Sequence, residues 1–198
     1  DPLLFRPGSA YSYSTYGYTV VGCAIEGASG ERFQDYVEEH VLRPAGMTHT
    51  FVDDVFEIVP HRARGYQRID GKVKNAVLMD SSYKIPGGGY LSTAEDLVRF
   101  AQALLDGKLV KRTTLTQMWT ATAVSGKDGY GLGFQVLEGG KFVMHTGGQP
   151  GTSTVLLIVP EARLSLAILA NLEGLKLRNL LRPLAGQLKI PAPPSGED

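Results

Sequence analysis

The stretch between residues 129 and 171 most constrains what this chain can fold into. Four short runs rich in apolar and β-branched residues follow one another there, at 131–137, 141–146, 153–159 and 164–171. Glu138-Gly139-Gly140, Gln149-Pro150-Gly151 and Pro160-Glu161-Ala162-Arg163 separate them. A parallel pair needs a crossover of about a dozen residues or more, and these connections are too short for one. The runs therefore predict four consecutive antiparallel strands in a meander. The third and fourth are nearly all apolar, so both of their faces are expected to be buried.

Upstream the pattern is helical. Tyr18, Val21, Ala24 and Ile25 recur at helix spacing over 15–28, with Ser29-Gly30 as the stop. A second helix is expected over 31–41, with Phe33, Tyr36, Val37 and Val41 on one face, ended by Pro44 and Gly46. Asp70-Gly71 between two alternating runs predicts a hairpin. Ser92-Thr93-Ala94-Glu95 reads as a capping box with Ser92 as the cap. The helix it opens presents Leu97, Phe100, Ala101, Leu104 and Leu105 and closes at Gly107. A short helix near 114–119 and a final one over 174–188, interrupted by Pro183, complete the set. The sum is α+β, an α/β sandwich: an antiparallel sheet flanked by helices. Residues 1–190 form one unit, and the Pro-rich 191–198 reads as a disordered tail.

Composition excludes several functions. Twenty basic and 20 acidic residues leave no net charge. That argues against nucleic acid as a partner, which needs clustered cations on phosphates. No window is apolar enough for a membrane span. The single cysteine, Cys23, cannot form an intrachain disulfide and reads as a small core residue. The four histidines lack metal-ligand spacing, so neither a metal nor another cofactor is expected.

Three segments could carry chemistry. Tyr13-Ser14-Thr15 stands where a Pro-Gly turn meets a helix start. A phenol there can face a cleft and act as a general base if nearby positive charge lowers its pKa. His145-Thr146-Gly147-Gly148 ends a strand. Glycines there let another backbone lie alongside, and free N–H groups can bind an acyl oxygen. The bland alternative is a polar strand end with a glycine turn. Ser81-Ser82-Tyr83-Lys84 matches Ser-x-x-Lys as text, but Pro86 and Gly87-Gly88-Gly89 follow. They are not expected to continue a helix, so this serine reads as loop rather than nucleophile. The glycine run also lacks the Gly-Lys-Ser/Thr of a phosphate loop.

In this order the motifs resemble the serine β-lactamase and penicillin-binding protein superfamily, in its class C-like branch. Pro7-Gly8, Tyr13-Ser14-Thr15, Gly17-Tyr18 and Val21-Gly22 are similar to the branch's Tyr-Ser-Asn region. The segment from Leu42 to Thr50 is similar to its Pro-Leu-Gly-Met-x-x-Thr pattern. Gly88-Gly89-Tyr90-Leu91-Ser92-Thr93-Ala94-Glu95-Asp96-Leu97 looks like its Gly-Gly-x-x-Ser-Thr-x-x-Asp-Leu helix entry. Gly129-Tyr130-Gly131-Leu132-Gly133 and His145-Thr146-Gly147-Gly148 match its end. Asp80-Ser81-Ser82-Tyr83-Lys84 and Tyr13-Ser14-Thr15 most resemble the mitochondrial β-lactamase-like proteins and their bacterial relatives.

The resemblance implies a β-lactamase/transpeptidase-like fold and hydrolysis of an amide or ester through an acyl-enzyme. It implies roles as well: Tyr13 relays a proton, His145 and Gly148 complete the catalytic set, and Thr15, Thr146 and Gly147 bind substrate. Gly148 would give an oxyanion-hole N–H. Thr15 stands where the family has Asn, and His145 where Lys is more common. A mostly neutral imidazole binds a carboxylate less well than an ammonium, so β-lactam turnover is expected to be poor. The family's Ser-x-x-Lys lies well upstream of its tyrosine motif. Residues 1–198 therefore read as the C-terminal portion of a single β-lactamase-like domain. An N-terminal segment or second chain carrying Ser-x-x-Lys is the expected partner, with a small-molecule or peptide substrate, and this chain alone is expected to be inactive. The competing reading is a non-catalytic scaffold that retains the fold. The resemblance leans toward an exported or periplasmic setting, and the residues themselves do not fix the compartment.

Overall fold

The computed structural model describes residues 2–125 and 129–194. Its helices are α1 (Thr15–Ser29), α2 (Phe33–Val37), α3 (Arg43–Ala45), α4 (Ile85–Gly88), α5 (Ala94–Leu105), α6 (Arg112–Met118) and α7 (Arg178–Leu188). Its strands are β1 (Phe51–Val52), β2 (Tyr66–Ile69), β3 (Lys72–Asn75), β4 (Tyr90–Leu91), β5 (Gln135–Leu137), β6 (Phe142–Gln149), β7 (Thr152–Val159) and β8 (Leu164–Ala170). None of the described helices is long and apolar enough to cross a membrane.

The meander forms as expected, in the order β5-β6-β7-β8 with every pair antiparallel. Each face of this sheet carries its own apolar layer. Phe142, Met144, Val155 and Leu157 meet Leu177 and Leu181 from the α7 side. Val143, Leu156 and Ile158 meet Ala101 and Leu104 of α5 and Leu115 of α6. The period-2 alternation of β6 and β7 assigns successive residues to the two layers. Helices therefore flank the sheet on both faces, the α/β sandwich of the sequence reading.

β7 is central and buried, but β8 is not. All seven of its residues are only partly buried, because among the described residues β8 is an edge strand paired with β7 alone. The apolar run at 164–171 signals two covered faces and cannot reveal a missing lateral partner. The first strand also begins later than expected, at Gln135, because 130–134 turns back against β5 through a Gly131-to-Phe134 hydrogen bond.

The helical half shows further differences. Gly22 is the buried residue of α1, while Val21, Cys23 and Ala24 are exposed. Cys23 is thus not a core residue. Helix spacing marks an apolar stripe but not whether anything covers it. α1 instead packs on α4 at its two closest points. A Cβ on Gly22 would run into the Pro86 ring, and one on Gly87 would lie 2.7 Å from Thr15 Cγ2. The expected helix at 31–41 is α2 followed by one wide π-type turn, Glu38–Leu42, and α3. Gly46 caps it at φ 72°.

Asp70 and Gly71 both take positive φ, 51° and 73°, as a tight hairpin turn requires. The cap of α5 is Thr93 rather than Ser92: its side chain accepts from Asp96 N. Ser92 Oγ lies 2.7 Å from Thr50 Oγ1 instead. Asp96 is fully buried and accepts from His49 N at 2.7 Å, Thr50 Oγ1 at 2.9 Å and Arg99 Nη1 at 3.0 Å. One carboxylate thus ties the 46–50 turn to α5. Pro191–Pro194 carry no regular structure, although Pro193 is buried. Residues 195–198 of the expected tail lie outside the described residues.

Candidate active site

Ser14 sets the entry to the site. It is the N-cap of α1, with φ −145° and ψ 114°, and its Oγ accepts from Gly17 N at 3.0 Å. That extended backbone carries Tyr13 off the helix, half exposed, toward the strand end. The Tyr13 ring lies 6.1 Å from His145, 6.0 Å from Tyr130 and 6.2 Å from Tyr18. Residues 132 positions apart in sequence therefore share one cluster.

A hydrogen-bond line runs through that cluster. The Tyr18 hydroxyl lies 3.2 Å from the Tyr130 hydroxyl, which lies 2.9 Å from His145 Nε2. Either order of donors satisfies it, because a neutral imidazole can donate or accept at Nε2. Burial pushes the His145 pKa down, partly offset by a main-chain hydrogen bond with Thr146. Burial raises the Tyr130 hydroxyl far above its ordinary value, helped by the hydrogen bond to Tyr18 and the tyrosines around it. Tyr11, whose ring is 5.5 Å from Tyr130, is raised for the same first reason. Tyr130 and His145 are consequently held in their neutral forms at pH 7. The cation that would make Tyr13 a base is not among these rings.

The strand beside them has an open edge. β5 pairs with β6 only at Phe142–Met144, whereas β7 pairs with it as far as Gln149. Val136 N donates to Gly129 O, on the side away from β6. Its neighbours Gln135 and Leu137 must therefore face β6, opposite Met144 and Phe142. Continuing that alternation turns the main chain of His145 and Gly147 toward β7. It turns the main chain of Thr146 and Gly148 toward the edge that β5 has left.

The two glycines differ. A Cβ on Gly147 would lie 2.5 Å from Thr154 Oγ1 across the ladder, while one on Gly148 meets nothing within 4 Å. The neighbouring strand thus restricts Gly147, and only Gly148 faces open space. Thr146 is exposed. Gln149 ends the strand by accepting from Ser81 Oγ at 3.0 Å and donating to Gly88 O.

Ser81 is therefore a buried structural link. Ser82–Lys84 form a tight 3₁₀ turn and α4 follows, so Pro86 lies in the first turn of a short helix where the sequence suggested none. Proline suits a first helical turn, which needs no N–H there. Lys84 N donates to Ser81 O at 3.0 Å, and Lys84 lines a recess with Thr15, Tyr16, Thr19 and Tyr83. Thr15 belongs to that recess rather than to the ring cluster. Sequence reasoning did not single out Tyr18 or Tyr130 as site residues. The signal for Tyr130 was its place between Gly129 and Gly131, the latter a glycine because a Cβ would strike Met118 O. Among the described residues no group of three or more His, Cys, Asp or Glu could hold a metal ion.

A family model described as Beta-lactamase matches residues 1–188. The chain belongs to the beta-lactamase family. This family member is 35% identical over 192 residues to the mitochondrial serine beta-lactamase-like protein LACTB of Mus musculus, covering 81% of this chain and 35% of that protein. Among solved structures it is similar to SurE, with a TM-score of 0.85 and 28% identity over 100% of this chain and 49% of that one. It is also similar to a D-stereospecific amidohydrolase from Streptomyces sp., with a TM-score of 0.73 and 27% identity, covering 85% and 52%. The chain spans about a third of the length of the curated relatives it matches first. The fold is thus that of the β-lactamase and penicillin-binding protein group, whose members are serine hydrolases.

Proposed function

We propose that these residues form the substrate-facing wall of a serine hydrolase that cleaves an amide or ester through an acyl-enzyme. The open edge of β6 carries the reading. Gly148 N–H points to the side β5 vacates, with clear space around its Cα and the Tyr13–His145 cluster at the same strand end. An N–H held there before reaction can stabilise the developing oxyanion, and losing one such donor costs roughly 3 kcal/mol in comparable sites. Tyr13 relays the proton. His145 and Thr146 face the substrate's carboxylate or leaving group, and the missing side chain of Gly148 lets the substrate lie along the strand, with Gly147 behind it against Thr154.

The nucleophile and its lysine come from a segment beyond these 198 residues. Ser14 Oγ is spent on a helix cap, Ser81 Oγ on Gln149 and Ser153 Oγ on Leu172 O. α1 exposes Val20, Val21 and Cys23, and β8 exposes an unpaired edge, and both are surfaces such a segment would cover. The test is a fluorophosphonate label with intact-mass analysis of the purified protein. The expected adduct maps outside residues 1–198, and those residues alone hydrolyse nothing. An active 198-residue chain with no second polypeptide overturns the missing-nucleophile reading. A stable complex that never takes the label favours the scaffold reading.

A further inference from the structure

A recess of about 290 Å³ opens beside the first turns of α1. Thr15, Tyr16 and Thr19 form one wall, and Tyr83 and Lys84 form the other. Among the described residues, one of its polar groups makes no hydrogen bond and another has no ion-pair partner. Thr19 Oγ1 is buried and makes no hydrogen bond. A helical threonine commonly bonds the carbonyl four residues back. Here that carbonyl belongs to Thr15, which presses on Gly87: a Cβ there would lie 2.8 Å from Thr15 O. Such a hydroxyl gains from any ligand that accepts its proton.

Lys84 is the second group. Lys108 and Lys141 lie within ion-pair distance of Asp106 and Glu138. Among the described residues no carboxylate pairs with Lys84, whose Nζ lies 6.0 Å from the centre of the Tyr83 ring. Tyr16 and Tyr83 are 76% and 67% exposed, so nothing in the described chain covers the rings at the rim. A cation and a hydroxyl donor together ask for an anion with acceptor oxygens. The two phenol rings ask for flat or aliphatic surface next to it. The volume lies near the lower end for a small-molecule site and suits one substituent rather than a whole ligand.

We propose that this recess is a substrate subsite for a carboxylate-bearing substituent, with Lys84 as counter-ion and Thr19 Oγ1 as donor. The inference rests on the hydrolase reading, because Thr15 stands both in the recess wall and two residues from Tyr13. It narrows the substrate to an amide or ester whose acyl part carries a second carboxylate, such as an acyl glutamate.

Two measurements, made on the protein with its nucleophile-bearing segment in place, separate the subsite from the chemistry. The first titrates N-benzoyl-glutamate against N-benzoyl-glutamine by calorimetry, in the parent and in Lys84→Met and Thr19→Val. The acid is expected to bind about tenfold tighter than the amide, and Lys84→Met to bring that ratio to near one. Thr19→Val is expected to lower it by a smaller factor. The second compares KM for a glutaryl and a butyryl ester, where the same ratio should appear and vanish with Lys84. Lys84-dependent binding without turnover keeps the subsite and sinks the hydrolase reading. Turnover with no charge preference, or with one that Lys84→Met leaves intact, overturns the subsite. Equal, Lys84-independent binding of both probes also overturns it.

Discussion

The Tyr130 hydroxyl and His145 Nε2 lie 2.9 Å apart, joining the segment before β5 to the open end of β6. The contact holds the imidazole by its ring nitrogen among tyrosines, in surroundings that disfavour its charge. Its removal should be felt in stability. Tyr130→Phe leaves a partly buried nitrogen without its partner and also ends the line to Tyr18. A loss of about 1 kcal/mol is expected in urea denaturation at pH 7.5. An unchanged midpoint would show that water replaces the hydroxyl at no cost.

The same pair predicts a pH slope. The folded pKa of His145 lies below its ordinary value, so the unfolded chain takes up the proton first as pH falls. Above about 6.5 both states are neutral at this residue and it contributes no slope. Below that pH, stability falls until the folded imidazole also titrates. His145→Gln should flatten this part of the stability profile below about pH 6.5. Denaturation midpoints at four pH values, parent against variant, decide it, and parallel curves would refute it.

Gly147 and Gly148 should respond differently to alanine. The added methyl on Gly147 meets Thr154 Oγ1, so Gly147→Ala is expected to lose about 1–2 kcal/mol, with Thr154→Ala in the same chain recovering part. Gly148→Ala adds a methyl to open space and should change stability by less than about 0.5 kcal/mol. Melting curves of the three variants check the ordering. Equal losses for both glycines would mean that the strand end packs differently.

Asp96 is the test of the helical half. Its side chain holds His49 N, Thr50 Oγ1 and Arg99 with none of it exposed. Asp96→Ala leaves those donors without an acceptor, and a loss of about 3 kcal/mol is expected. Arg99→Ala should cost less, because its guanidinium is partly solvated and the remaining bonds to Asp96 survive. A milder effect for Asp96 than for Arg99 would contradict this.

Much of this was legible in the sequence, for reasons that can be named. Apolar alternation and short turns gave away the meander, and Asp70-Gly71 the hairpin, because both signals are local. Burial partners are not local. Val21, Cys23 and Ala24 follow helix spacing yet face outward, and β8 looks like a central strand yet has one neighbour. The cap of α5 was misplaced by one residue because Ser92-Thr93 offers two hydroxyls in overlapping frames, and only Thr50 across the fold selects between them. At the site, Tyr13 and His145 were visible as strand-end and helix-start residues. Tyr130 was not singled out, because its role exists only where β5 brings it against β6.

A change of charge at residue 145 tests the proposed wall most directly. An imidazole whose pKa is lowered by burial is neutral at pH 7 and offers a carboxylate little attraction. KM for a substrate with a free carboxylate beside the scissile bond should therefore fall only as pH drops through the lowered pKa of the folded imidazole, below the ordinary value of about 6.5, while KM for its methyl ester stays level. His145→Lys starts from an ordinary pKa of about 10, so even lowered by the same burial it is expected to keep a charge there at about pH 8. That variant should bind the carboxylate substrate severalfold better at pH 8 and lose the pH dependence, provided it keeps its fold by far-UV dichroism. The ammonium must sit beside the Tyr130 hydroxyl, which can still accept from it, so burial costs it less than an apolar pocket would. A pH-independent KM in the parent, or a His145→Lys variant that discriminates no better than the parent, would remove residue 145 from the substrate's carboxylate and leave it a role in holding Tyr130.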